Sequence, residues 1–262
     1  MTLSNVRNDD RSLGDSGPGG SRREGAIQLV GFDGDDTLWR SQDYFDEAQL
    51  EFERIVGRYV DLADARLHER LYEFEAGNLA LFGYGVKGMA LSMIEAAVTI
   101  TGSRIAADDV HRIVQIGKDL LQHPVELLSG IRDAVAEIAA DYDVVLITKG
   151  DLFHQEAKVR QSGLSHLFRR IEIVSEKDPA TYARVLEEFD LAPAQFVMIG
   201  NSLRSDIAPV LQLGGWGVHL PYHTTWGHEN EAQVASDAPR LRVVGQASEL
   251  AAAVADIAAS AV

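Results

Sequence analysis

The sequence predicts an α/β fold, a doubly wound parallel sheet with helices on both faces, interrupted after its first strand by an inserted α-helical subdomain. Three observations predict it. An apolar run (Ala26, Ile27, Leu29, Val30, Phe32) ends in the carboxylates Asp33, Asp35 and Asp36, which no water-excluded strand could carry onward. Helical periodicity without strands then extends to His123-Pro124. Beyond it strand and helix patterns alternate, as connections between parallel strands require.

The 262 residues suffice for one large domain or a core with an insertion, and can bury an ample core. There is no cysteine, so disulfides, thiolate metal sites and cysteine nucleophiles are excluded, and a reducing, cytoplasmic address is expected. No apolar run approaches the about 20 residues of a membrane span, and the polar N-terminus lacks the apolar segment of a signal peptide. The net charge is −16, a surface that repels nucleic acid and anionic membranes.

Residues 1–24, rich in Ser, Gly, Asp and Arg, have almost nothing to bury and read as a disordered leader. The first strand occupies residues 26–33. Phe52, Ile55, Val56, Tyr59 and Val60 then trace one helical stripe, Leu67, Leu71 and Phe74 a second, residues 89–100 a third, and Val110 to Leu121 a fourth. A helix carrying Ile131, Val135 and Ile138 leads to the strand Val144–Ile147, a helix over 152–162 to a strand at 170–174. Asp178-Pro179 opens the next helix with a cap and a proline at its first position. Strands at 195–199 and 216–220, a polar loop and a helix with Leu250, Val254 and Ile257 complete the chain. The boundaries expected are a leader at 1–24, a core at 25–39 and 124–262, and a cap at 40–123.

Four strands end on their carboxyl side in polar residues: Asp33 and Asp35, Thr148 with Lys149, Lys177, and Asn201 through Asp206. In an open parallel sheet these ends share one crevice, where ligands bind. Asp33 and Asp35 fall on one side if the chain stays extended, and that much anionic charge calls for a cation, magnesium being the first candidate. A carboxylate nucleophile beside a metal, a hydroxyl and an ammonium suits phosphoryl transfer.

These residues resemble the motifs of the haloacid dehalogenase (HAD) superfamily. Asp33, Asp35 and Thr37 meet its Asp-x-Asp-x-Thr, Thr148 its second-strand hydroxyl, Lys177 its lysine, and Asn201 to Asp206 its acidic motif, in the family's order. The resemblance implies a Rossmann-like core with a type-1 helical cap. It also implies a magnesium-dependent phosphatase acting on a small phosphorylated metabolite. Asp33 would form an aspartyl-phosphate, Asp35 would act as general acid and then base, and Thr148 and Lys177 would hold phosphoryl oxygens, with Lys149 close by. Mg2+ would be bound by Asp33, the carbonyl of Asp35, and Asp206. The fourth motif more often begins Gly-Asp, so Asn201 is expected as a neutral or water-mediated ligand. Phosphomutase or phosphotransferase and haloacid dehalogenase chemistry on the same core remain alternatives, as does a non-catalytic phospho-accepting or ligand-binding module.

The histidines of segment 219–229 lack the helical spacing that would converge on one metal. Gly83, Gly85 and Gly88 follow no strand and form no nucleotide fingerprint. The loop 83–88 is instead the best candidate for a cap element reading the substrate, through Tyr84 and Lys87, with hinges near residues 40 and 123.

Overall fold

The computed structural model describes residues 27–224, 226, 234–235 and 237–261. The expected leader and part of the segment 219–229 lie outside the described residues. The chain divides into two compact units.

The α/β unit holds the described residues up to Trp39, Leu127–Thr148, and Gly163 onward. Among the described residues its sheet runs β3-β2-β1-β4-β5-β6. The strands are β1 (Leu29–Phe32), β2 (Asp143–Lys149), β3 (Arg170–Val174), β4 (Phe196–Gly200), β5 (Trp216–His219) and β6 (Leu241–Val243). β1 pairs in parallel with both β2 and β4, setting Val30 opposite Val144 and Val197. It is therefore the central strand where the strand order reverses, and the crevice of such a sheet opens at the carboxyl ends of the two strands flanking that reversal. Leu29, Val145, Ile147, Phe196 and Met198 form one face of the sheet. They pack against Tyr182, Val185 and Leu186 of α8 (Pro179–Glu188) and Val210 of α9 (Ala208–Leu213). The alternate residues Val30, Phe32, Val144, Leu146, Val197 and Ile199 are equally buried, and α10 (Leu250–Ser260) packs on β5 and on α6 (Ile131–Asp141). Burial on both faces explains why these strands read as continuous apolar runs. β6 was not expected: three residues with an arginine in the middle carry no strand periodicity.

The helical unit holds Arg40–Glu126 together with Lys149–Ser162. Residues 149–162, expected in the core, thus cluster with the helices; they include α7 (Leu152–Ser162). The other helices are α1 (Gln42–Val56), α2 (Leu62–Ala65), α3 (Leu67–Phe82), α4 (Val86–Ile100) and α5 (Ala107–Gln122). Phe52, Ile55, Val56, Leu71, Met93, Ala96 and Ile113 form its core. The stripe read through Tyr59 and Val60 is broken, because α1 ends at Val56 and Gly57 closes it with an N–H bond to Glu53 O at 2.8 Å. Tyr59 turns its hydroxyl to Asp109 on α5 instead. The glycine-rich loop is also shorter than expected. Buried Val86, Met89, Met93 and Ile100 form one stripe from the first turn of α4, so Lys87 and Gly88 are helical.

Candidate active site

The last ladder bond of β1 lies one residue beyond the strand. Asp33 N–H donates to Ile199 O at 2.9 Å, so the carboxylate-bearing residue is held in register with β4 as the chain leaves the sheet. The chain then folds back: the N–H groups of Thr37, Leu38 and Trp39 all point to Gly34 O, at 3.3, 2.8 and 3.3 Å. Asp36 takes a left-handed conformation (φ 61°) within this turn, which Asp tolerates better than most residues. Trp39, fully buried, donates from Nε1 to Asp35 Oδ1 at 2.6 Å, fixing the second acid.

Lys177 is presented by the loop after β3, immediately before a capped helix. Asp178 accepts Thr181 N–H at 2.7 Å, and Pro179 begins α8. The Lys177 ammonium reaches back to Asp33 Oδ1 and also contacts Asp206 Oδ1, the latter at 2.7 Å. All three groups are buried. Asp206 stands on a π-helical turn (Leu203–Ile207), a geometry that recurs at functional sites. Ser202 Oγ accepts Ser205 N–H at 3.0 Å, Ser202 N–H donates to Asp206 Oδ2 at 3.0 Å, and the buried Tyr182 hydroxyl donates to Ser205 O at 3.0 Å. Thr37 joins the two loops: its Oγ1 lies 3.0 Å from Asp33 Oδ2 and 3.2 Å from Asn201 Oδ1, and accepts Asn201 N–H at 3.0 Å. Thr148 is buried at the end of β2, its hydroxyl 3.0 Å from where a Cβ on Gly34 would stand.

The structure thus brings Asp33, Thr37, Lys177, Asn201 and Asp206 into one bonded group, with Asp35 on the same loop as Asp33 and Thr148 at the end of β2. Lys149, Tyr84 and Lys87 belong to the helical unit. There Lys149 lies over the Tyr84 ring at 4.2 Å, while Lys87 pairs with Asp151 at 2.8 Å and lies over Phe153 at 5.2 Å. Sequence reasoning missed Trp39 and Tyr182, because an aromatic residue beside an apolar run gives no sign that its polar atom serves a site. His219 was read only against a metal role. In the structure its Nε2 lies 2.9 Å from Asn201 O.

Burial is the largest influence on Asp33 and, with the neighbouring Asp206 charge, pushes its pKa up to about 7 against the opposing pull of Lys177. Burial also acts against the Lys177 ammonium, but Asp206 and Asp33 outweigh it and hold its pKa well above the usual lysine range. Burial lowers the pKa of His219.

Among the described residues no three His, Cys, Asp or Glu side chains cluster as a metal site. The donors present at the rim are the carboxylates of Asp33 and Asp206, the Asn201 amide oxygen and main-chain carbonyls. Magnesium is commonly held by one or two carboxylates, with waters and substrate phosphate completing its shell. A two-carboxylate, all-oxygen set therefore fits it.

Gly200 makes the Asp206 position possible. A Cβ there would stand 2.2 Å from Asp206 Oδ2 and 2.3 Å from its Cγ, so Gly200→Ala must drive the carboxylate off Ser202 N–H. The expected outcome is a loss of about 1–3 kcal/mol in urea unfolding, with turnover falling at least tenfold. Wild-type stability and rate would show that Asp206 need not sit where it does.

The model of the haloacid dehalogenase-like hydrolase family matches residues 27–214. No curated protein sequence matches the chain significantly. Among solved structures, a haloacid dehalogenase-like family hydrolase from Xanthomonas campestris is 58% identical, covering 92% of this chain and 96% of its own, with a TM-score of 0.82. The HAD hydrolase YfnB of Bacillus subtilis, solved bound to magnesium, is 16% identical over 87% of this chain and 99% of its own, with a TM-score of 0.60. The L-2-haloacid dehalogenase of Xanthobacter autotrophicus is also 16% identical, over 87% and 98%, with a TM-score of 0.56. At that identity the last two share the fold alone. With the family's sequence model spanning β1 to β4 and the inserted helices, well over half of the chain, the chain belongs to the haloacid dehalogenase-like hydrolases.

Proposed function

We propose that this hydrolase is a magnesium-dependent phosphatase that cleaves a small phosphate monoester through an aspartyl-phosphate on Asp33. The observation that carries the reading is the pairing of two acids with different surroundings. Asp33 is buried against Lys177, and Asp35, two residues on, is held by the Trp39 indole. A nucleophile needs a carboxylate kept in place and its charge balanced; a departing alkoxide needs a proton from a second acid. A halide leaving group needs none, so the presence of Asp35 favours the phosphatase over the dehalogenase.

In the proposed reaction an Asp33 carboxylate oxygen attacks phosphorus in line as the ester oxygen departs, taking a proton from the Asp35 carboxyl. Asp35, now ionised, accepts a proton from water as that water attacks phosphorus, and the bond from phosphorus to the Asp33 oxygen breaks. Lys177 balances the charge on Asp33 and Asp206, and Thr148 donates its hydroxyl to a phosphoryl oxygen. Asp33, Asp206, the Asp35 carbonyl and Asn201, directly or through water, would hold magnesium, whose charge when bound offsets that of the phosphate. The substrate would be a small phosphorylated metabolite. No described helix is long and apolar enough to cross a membrane.

A chromogenic aryl phosphate tests the reading. Turnover should require magnesium, Asp33→Asn should abolish it in a folded protein, and Asp35→Asn should lower it about 10²-fold. Appreciable turnover by folded Asp33→Asn would contradict the covalent route. A second test uses pH. Asp33 attacks only when ionised, so the pKa of about 7 places the acid limb of kcat/KM near neutrality when magnesium is scarce. Because a cation favours the charged form, the limb should move to lower pH as magnesium is raised. A limb that ignores magnesium would separate the metal from Asp33. The stability linkage has the opposite sense. A carboxyl whose pKa is raised on folding contributes most below the ordinary carboxylate range, and that contribution is lost as pH rises through 7.

A further inference from the structure

We propose that His219 is a positioning residue of this site, setting the plane of the peptide between Asn201 and Ser202 and through it the orientation of the Asp206 carboxylate. The parallel ladder between β4 and β5 pairs Gly200 with His219. Its last backbone bond runs from Leu220 N–H to Gly200 O at 3.0 Å. The next carbonyl, on Asn201, has passed the end of the ladder, and the His219 side chain meets it with Nε2 at 2.9 Å. A carbonyl can only accept, so Nε2 carries the proton.

That carbonyl and the Ser202 N–H belong to one planar peptide group. One end is held by His219 and the other points to Asp206 Oδ2 at 3.0 Å, so turning the peptide away from the imidazole turns the N–H away from the carboxylate. Donation to the carbonyl also polarises the group and strengthens its N–H as a donor. The peptide before it is locked in the same manner, by Leu220 N–H on Gly200 O and by Thr37 Oγ1 on Asn201 N–H. His219 is itself fixed from the other side, its carbonyl accepting Val244 N–H at 3.0 Å. The imidazole thus acts on Asp206 without touching the reacting atoms.

The catalytic part of the test rests on the phosphatase reading; the structural part does not. In the full chain, His219→Phe keeps a ring but removes the donor, and His219→Gln restores one. By 15N NMR the Ser202 amide proton of the Phe variant should shift upfield and exchange faster with solvent, while the Gln variant stays close to wild type. Calorimetric titration with magnesium should show affinity weakened about tenfold in Phe, as for other partners that orient a ligand. The Gln variant should lie within about threefold of wild type. On the aryl phosphate, kcat should fall in Phe with KM little changed. An unmoved Ser202 amide in Phe, or equal losses in Phe and Gln, would overturn the proposal. Should Phe fail to fold, the wild-type imidazole decides: a slowly exchanging proton on Nε2 supports the bond, and a proton on Nδ1 alone overturns it. If the amide responds as stated but no variant binds magnesium or hydrolyses the ester, the positioning role stands and the phosphatase reading falls.

Discussion

One buried ammonium holds this site together. Lys177 contacts Asp33 from the end of β1 and Asp206 from the turn after β4, all three removed from water. Two carboxylates this close and this buried could not both stay ionised without a cation between them. Nor could the lysine remain charged without them, since removing one partner of a buried pair strands the other at a cost of about 3–5 kcal/mol. The triad therefore ties three loops from three parts of the sequence to a single geometry. In a chain of net charge −16, this internal cation lets an acidic protein concentrate acids at one rim.

The rest of the site supports that triad from behind. β1 lies where the strand order reverses, and its ladder with β4 continues into Asp33. The backbone of Asp33 thus moves only if the sheet does. The acidic turn has no such ladder and is held piecewise by Ser202, Tyr182 and His219, each spending one polar group on a backbone atom or on its neighbour's N–H. Gly200 leaves the space into which Asp206 folds. Strand ends carry the charged residues, and the polar atoms of buried Trp39 and Tyr182 and of half-buried His219 bond to the loops that bear them.

What the sequence could show follows from that division. That Asp33, Lys177 and Asp206 share one rim was legible because Asp33 and Lys177 closely follow apolar runs, while Asp206, well past the end of β4, was placed there only by the order of a known motif set. Trp39, Tyr182 and His219 were not, since each occupies a position where an aromatic side chain is explained by packing alone and only the structure shows where its one polar atom points. The parallel sheet was legible from alternating strand and helix patterns, whereas β6 is too short to have a period. Residues 149–162 illustrate a different limit: periodicity shows that α7 buries a face but not against which partner, and it clusters with the helical unit. Gly83, Gly85 and Gly88 suggested one continuous loop, but the apolar stripe that begins at Val86 draws Lys87 and Gly88 into α4.

The central claim is that Asp33 carries the phosphoryl group. Enzyme mixed with a phosphate ester and magnesium, quenched in denaturant during turnover and treated with borohydride, converts an acyl phosphate to an alcohol that peptide mass spectrometry locates. The account predicts homoserine at position 33 and at no other acidic residue, appearing only when ester and magnesium are both present. Steady turnover with an unmodified Asp33, or with the label on Asp35 or Asp206, would contradict it.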